Sequence, residues 1–187
     1  MAEIVSIRVD WDRTALKLPM PYPFYTVHIE PSAEYPFGQK GKSLAAAWKQ
    51  LDARRIADGM LIIDGDVAIE PIDLENMHHA IHHHDKMVVI APARIYPKST
   101  KRKTWTWAHW SEKGPSQTIE TEDIFFFSFN FTYLPKKLID QALKDGLETW
   151  TYPGVDERVS ESARKAGIPV YVAENVHPKH LNFYNSL

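Results

Sequence analysis

Residues 58–67 of this 187-residue chain read DGMLIIDGDV. Four apolar residues in succession, 60–63, run straight into the turn-forming triplet Asp64-Gly65-Asp66. A short, continuous apolar run bounded by turn residues is typical of a strand that is buried on both faces of a sheet. The triplet therefore predicts the point at which this strand leaves the core.

The segments on either side of this strand alternate between strand and helix patterns. Further strands are predicted over residues 4–9, 24–29, 87–91, 124–133 and 170–173, and helices over 44–57, 72–84, 135–143 and 156–166. The first helix is expected to begin after Ser43, because serine is a common capping residue. This order predicts an α/β fold with a mixed, mostly parallel sheet flanked by helices, in one domain spanning residues 1–187.

Composition narrows the class of protein. The 22 Lys+Arg and 24 Asp+Glu residues give a net charge of -2, so there is no strong nucleic-acid signal. The chain has no cysteine, which excludes disulfides, thiolate zinc sites and cysteine nucleophiles. No basic-then-apolar leader is visible, and no apolar run approaches the ~20 residues of a membrane span. We therefore expect a soluble, cytoplasmic protein with no membrane span.

Asp64 and Asp66 are candidate metal ligands. In open α/β sheets, ligands bind beyond the carboxyl ends of the strands, where these two carboxylates are expected. Gly65 between them allows the turn to approach a ligand closely. Carboxylate oxygens together with substrate phosphates suit Mg²⁺ or Mn²⁺. The alternative is an ordinary β-turn, since Asp and Gly are common turn residues.

Three neighbouring parts of the sequence resemble the metal-binding core of the GT-A glycosyltransferases, family 2-like, in a compact version. They are the Ala-rich helix, residues 58–67 and the stretch Pro71-Ile72-Asp73-Leu74. The resemblance is clearest over residues 43–96. It implies that Asp64, Gly65 and Asp66 bind the diphosphate of a nucleotide sugar donor through Mn²⁺ or Mg²⁺. The departures are the short region before Asp64 and a nucleotide-base pocket that cannot be matched residue by residue.

The resemblance also implies a catalytic base at the start of a later helix. Gly154-Val155-Asp156-Glu157-Arg158 resembles that element, with Asp156 as the first candidate and Glu157 as the second. Such a carboxylate would deprotonate the acceptor hydroxyl and so give inversion at the anomeric carbon. The alternative is an ordinary helix N-terminus, where acidic residues are favoured in any case.

A histidine near the C-terminus completes the metal site in some members of the family. The segment His177-Pro178-Lys179-His180 is placed to supply it, with His177 slightly ahead of His180, while Lys179 could meet a phosphate oxygen. The alternative is a surface tail with two histidines.

Two other clusters have weaker functional interpretations. Trp105, Trp107 and Trp110 lie beside basic residues and are candidates for a lid or an acceptor platform, because indole rings pack against sugars. They also fit a single-stranded nucleic-acid groove, or an edge strand with a loop. The pairs His78/His82 and His79/His83 share a helix face without a His-Glu-x-x-His motif, so we expect a solvated face with adventitious nickel or zinc binding.

The function that these features predict is metal-dependent transfer of a sugar from a nucleotide diphosphate sugar to an acceptor hydroxyl. The donor's sugar and base and the acceptor (glycan, protein or small molecule) are not identified. One alternative is a nucleotidyltransferase, which would use the same carboxylates and metal to attack phosphorus. Another is a non-catalytic carbohydrate- or nucleic-acid-binding module centred on the tryptophans.

Overall fold

The computed structural model describes residues 4–10, 24–28, 40–53, 58–64, 67–91, 109–110, 118–119, 126–127, 129–150 and 155–180. Its strands are β1 (Ile4–Asp10), β2 (Phe24–His28), β3 (Gly59–Asp64), β4 (Val67–Ala68), β5 (Val88–Ile90), β6 (His109–Trp110), β7 (Thr118–Ile119), β8 (Phe126–Phe127), β9 (Phe131–Pro135), β10 (Val170–Val172) and β11 (Lys179–His180). Its α-helices are α1 (Lys40–Ala53), α2 (Pro71–His83), α3 (Lys136–Lys144) and α4 (Val155–Lys165), and a 3-10 helix spans Leu147–Thr149.

Seven strands form one mixed sheet in the order β2-β1-β3-β9-β5-β10-β7. Strands β1, β2 and β3 are parallel to one another, and so are β5 and β10. Strand β9 lies between these two groups and is antiparallel to both β3 and β5, while β7 is antiparallel to β10. Five strands therefore point the same way, and their carboxyl ends share one edge of the sheet.

Helices pack on both faces of this sheet. On one face, α1, α3 and α4 cover the alternate strand residues Met60, Ile62, Val88, Ile90, Leu134, Val170 and Val172. On the other face, α2 covers the intervening residues Leu61, Ile63, Val89, Phe131 and Tyr133. Strand β3 is thus buried on both sides, as its unbroken apolar run predicts.

The predicted α/β class with a mixed sheet and flanking helices is confirmed. The finer expectation of a mostly parallel sheet is not confirmed, although five of the seven strands share a direction. Of the six neighbouring pairs in the seven-stranded sheet, three are parallel and three are antiparallel. The difference arises because β9 is inserted between β3 and β5, which no pattern within a single strand reveals.

Two predicted elements differ from the structure. Helix α1 begins at Lys40 rather than after Ser43, because Gly41 allows its first turn to pack against the backbone oxygens of Leu147 and Trp150. The predicted strand over residues 124–133 is instead two strands, β8 and β9, which belong to different sheets. Asn130 lies in a turn between them.

The Tyr133 hydroxyl lies between the chain segments that lead into β3 and β5. This buried hydroxyl lies 3.1 Å from the backbone oxygen of Asp85 and 3.4 Å from that of Asp58, close enough to donate to either. Burial raises the pKa of Tyr133 well above its usual range, with the charges of Asp85 and Asp58 adding to the effect. The Tyr133 ring also packs on Gly59, where a Cβ atom would overlap it.

Within the described part of the chain, no helix has both the length and the apolar character that crossing a bilayer requires.

Candidate functional site

Asp64 lies at the carboxyl end of β3, on the edge where the five strands that share a direction end. Its side chain is half-buried, and its backbone N–H donates to the backbone oxygen of Asn130 at 3.1 Å. This bond extends the antiparallel ladder of β3 and β9 one residue beyond the Ile63–Phe131 pair. Gly65 and Asp66, the other two residues of the predicted turn, lie outside the described residues.

Asp156 lies in the first turn of α4, and hydrogen bonds hold it against the segment that leads into β9. Its Oδ2 accepts from the backbone N–H of Phe129 at 3.1 Å. One helical turn later, Ser160 Oγ accepts from the N–H of Phe127 at 3.0 Å and donates to the Asp156 carbonyl at 2.8 Å. Asp156 is half-buried whereas Glu157 is exposed, so Asp156 is the better anchored of the two predicted bases.

The segment 129–130 therefore bonds to both predicted aspartates, to the side chain of Asp156 and to the backbone of Asp64. Phe129 donates to the Asp156 side chain, and Asn130 accepts from the Asp64 backbone. The two aspartates are 92 positions apart in the chain, yet both bond to adjacent residues at one edge of the sheet.

The C-terminal strand β11 pairs with β4. Lys179 pairs with Ala68, and His180 pairs with Val67, the residue that follows Asp66 in the sequence. His177 is exposed, and its backbone N–H donates to Asp73 Oδ1 at 2.9 Å. Of the two histidines, His180 is the one that pairs with β4, so the register favours it as the candidate third ligand, whereas the sequence slightly favoured His177.

Asp73 has two roles in the structure. It is 5% exposed, and its Oδ2 accepts from the Glu70 N–H at 3.0 Å, which closes a capping box at the start of α2. Its other oxygen holds His177, as described above. One buried carboxylate therefore fixes both the start of α2 and the path of the chain toward β11.

Of the three tryptophans in the predicted cluster, Trp110 lies among the described residues. Trp105 and Trp107 lie outside the described residues. Trp110 is in β6, where it pairs with Phe126 of β8, immediately before the segment that holds Asp156.

The histidines of α2 form a separate cluster. His79 and His83 have their Nε2 atoms 3.3 Å apart, and His84 stacks on Tyr171 with ring centroids 3.8 Å apart. Burial, and then the charge of His83, lowers the pKa of His84. Among the described side chains, no group of three or more His, Asp or Glu residues could hold a metal ion. The His79/His83 pair is therefore a two-ligand chelator at most.

We expect Ni²⁺ to bind at this pair, because two imidazoles one helical turn apart already lie at chelating separation. Calorimetric titration of Ni²⁺ should show a binding event that His79→Asn/His83→Asn removes. The matched control is His78→Asn/His82→Asn, which changes the neighbouring pair of the same spacing and should leave the event in place. Equal loss of Ni²⁺ binding in both double variants would show that the His79/His83 pair is not a specific site.

An open cavity of about 650 Å³ lies at the opposite edge of the sheet. Its lining includes Asp58 before β3, Asp85 and Lys86 before β5, and Pro169 before β10. It therefore lies at the amino ends of the parallel strands, far from Asp64 and Asp156. None of the predicted site residues that the structure describes lines it.

No family model and no curated protein matches this sequence. Among the 75 chains of solved structures that match it, one is the crystal structure of A197 from STIV. The match has a TM-score of 0.50 and 16% sequence identity, and it covers 91% of this chain and 82% of that one. At this identity the likeness shows a shared α/β fold over most of the chain.

Proposed function

We propose that this protein is a metal-dependent glycosyltransferase of the GT-A type, which moves a sugar from a nucleotide diphosphate sugar to an acceptor hydroxyl. The observation that supports this most strongly is that Asp64, through its backbone N–H, and Asp156, through its carboxylate, bond to the adjacent residues Asn130 and Phe129. The resemblance of residues 58–67 to the GT-A metal-binding core assigns the donor to the Asp64 side. The resemblance of residues 154–158 to the family's catalytic-base element assigns the acceptor to the Asp156 side.

The residues around the β3 turn fit a divalent cation that prefers oxygen ligands. Asp64 and Asp66 would supply carboxylate oxygens, and the β4–β11 register would bring His180 to the same turn. Two carboxylates and one imidazole suit Mn²⁺, and Mg²⁺ accepts the carboxylates with water. When bound, such an ion offsets the charge that grows on the leaving diphosphate. Lys179 would add a positive point charge toward a phosphate oxygen.

Asp156 would act as the general base. Its bond to the Phe129 N–H holds the carboxylate at the sheet edge, where it would take the proton of the acceptor hydroxyl. Attack from the side opposite the diphosphate would then invert the anomeric carbon. The freely exposed Glu157 would be poorly held for this task because rotamer freedom opposes a fixed geometry.

The test is calorimetric titration of UDP, GDP, dTDP and CDP with Mn²⁺ and then with EDTA. The His79→Asn/His83→Asn background should be used, so that metal uptake at α2 does not interfere. We expect metal-dependent binding of one diphosphate, lost in Asp64→Ala/Asp66→Ala and weakened more by His180→Asn than by His177→Asn. Asp85→Ala, an exposed acid at the opposite edge, is the control and should bind normally.

The same samples separate the proposed function from its alternatives. Incubation of the preferred nucleotide sugar with acceptors should release a nucleoside diphosphate. Release of pyrophosphate from a nucleoside triphosphate would instead indicate a nucleotidyltransferase. Glycan or oligonucleotide binding that survives both EDTA and the double aspartate variant, with no diphosphate bound by the folded protein, would indicate a binding module.

A further inference from the structure

Asn130 carries an unusual buried side chain. The residue is 6% exposed, and its Nδ2 atom is buried with no hydrogen-bond partner in the described part of the chain. A carboxamide nitrogen has two N–H donors, and burying them unpaired opposes folding. Native structures retain few such groups, so one beside a candidate site calls for an explanation.

The strand register shows that Asn130 lies opposite Asp64. The bond from the Asp64 N–H to the Asn130 oxygen places these two residues opposite each other across β3 and β9. Residues directly opposite in an antiparallel pair have Cβ atoms about 5 Å apart and project from the same face. By strand alternation this is the face that carries Ile62 and Leu134, on which α4 packs.

We propose that Asn130 is a positioning residue for the metal site: its Nδ2 donates to the Asp64 carboxylate when that carboxylate turns to hold the cation. This inference rests on the proposed function. Carboxylates that bind metals are themselves hydrogen-bonded by neighbouring groups, which orient them, and loss of such a partner weakens metal binding. The spacing of opposite residues suits this contact, since a short amide can reach a short carboxylate across one strand pair. The unpaired donor of the metal-free protein would thereby gain its acceptor on metal binding.

The proposal predicts opposite effects of one substitution in two states. Asn130→Leu, a similar branched shape without the donor, should melt about 2–4 °C higher than wild type in the metal-free state, because an unpaired buried polar group is removed. In Mn²⁺ with the preferred diphosphate, it should gain less stability than wild type does. Its Mn²⁺ affinity, measured by titration of Mn²⁺ alone, should fall by about 10–100-fold.

Two further variants keep the test decisive. Asn130→Ala removes the donor without adding bulk, so its Mn²⁺ affinity should fall as well even if Leu proves too large for the site. Thr132→Val changes the next buried polar residue on the same face of β9 and should leave Mn²⁺ affinity unchanged. Unchanged Mn²⁺ affinity in both Asn130 variants, with wild type binding Mn²⁺ and a diphosphate, would overturn the positioning role and leave the proposed function intact. A wild type that binds neither would overturn the proposed function itself, and this inference with it.

Discussion

Asp156→Asn is expected to lower kcat for sugar transfer by about 10²–10⁴-fold, the usual contribution of a positioned general base. The amide retains an oxygen that can accept from the Phe129 N–H, so the start of α4 should stay in place. The amide cannot take a proton from the acceptor hydroxyl. Binding of the nucleoside diphosphate should be unaffected because that ligand is assigned to the Asp64 side of the site.

The matched control for this prediction is Glu157→Gln, which makes the same change on the neighbouring, exposed residue. It should retain nearly all of the wild-type kcat. Steady-state kinetics with the preferred nucleotide sugar, together with a calorimetric measurement of diphosphate binding, would compare the two variants. A large loss of kcat in the Glu157 variant, with little loss in the Asp156 variant, would show that Glu157 and not Asp156 is the base. Little loss in either would remove the carboxylate base, and the inversion that depends on it, from the mechanism.

Gly59→Ala is expected to cost about 3 kcal/mol of the free energy of unfolding, near the upper end for overpacked sites. A Cβ atom at this position would overlap the Tyr133 ring. That ring has little room to move, because it is fully buried and its hydroxyl is engaged near the backbone oxygens of Asp58 and Asp85. Chemical denaturation, or a melting temperature lower by roughly 6–12 °C, would measure the loss.

Two comparisons isolate the cause of this loss. Gly167→Ala adds the same methyl group where nothing lies within 4 Å, so its cost should be about 1–2 kcal/mol, from the left-handed backbone at φ +62° alone. In a Tyr133→Leu background, where the ring is absent, Gly59→Ala should cost at least 1 kcal/mol less than in wild type. An equal cost in both backgrounds would show that the strand backbone, and not the ring, opposes the substitution.

Local sequence signals predicted the elements whose ends are determined locally. The apolar run at residues 60–63 and the turn residues after it identified β3 to within one residue at its start. The helices predicted over residues 72–84 and 156–166 begin within one residue of α2 and α4, because proline and acidic residues favour a helix N-terminus. Asp64 could be proposed as a candidate metal ligand for a similar reason, since the apolar strand pattern and the turn residues lie within ten residues of sequence.

Two predictions were wrong for the same reason: the start of α1, and the single strand over residues 124–133. Gly41 is a poor helix former in isolation, but its missing side chain allows α1 to approach Leu147 and Trp150, which are more than a hundred residues away. The aromatic run reads as one strand by propensity. It divides because β8 pairs with β6 while β9 pairs with β3 and β5.

The sequence by itself determined an α/β chain in which acidic residues follow a buried strand at its carboxyl end. It also marked an acidic helix start far downstream. Only the tertiary structure decided that Asp64 and Asp156 bond to the adjacent residues Asn130 and Phe129, that His180 pairs with Val67, and that the Asn130 amide nitrogen is buried without a partner in the described part of the chain. Periodicity and turn chemistry act between near neighbours in the chain, so they can be read from it. Strand register and the hydrogen bonds between distant segments depend on how the whole sheet assembles, because each pairing is set by the burial of many residues at once.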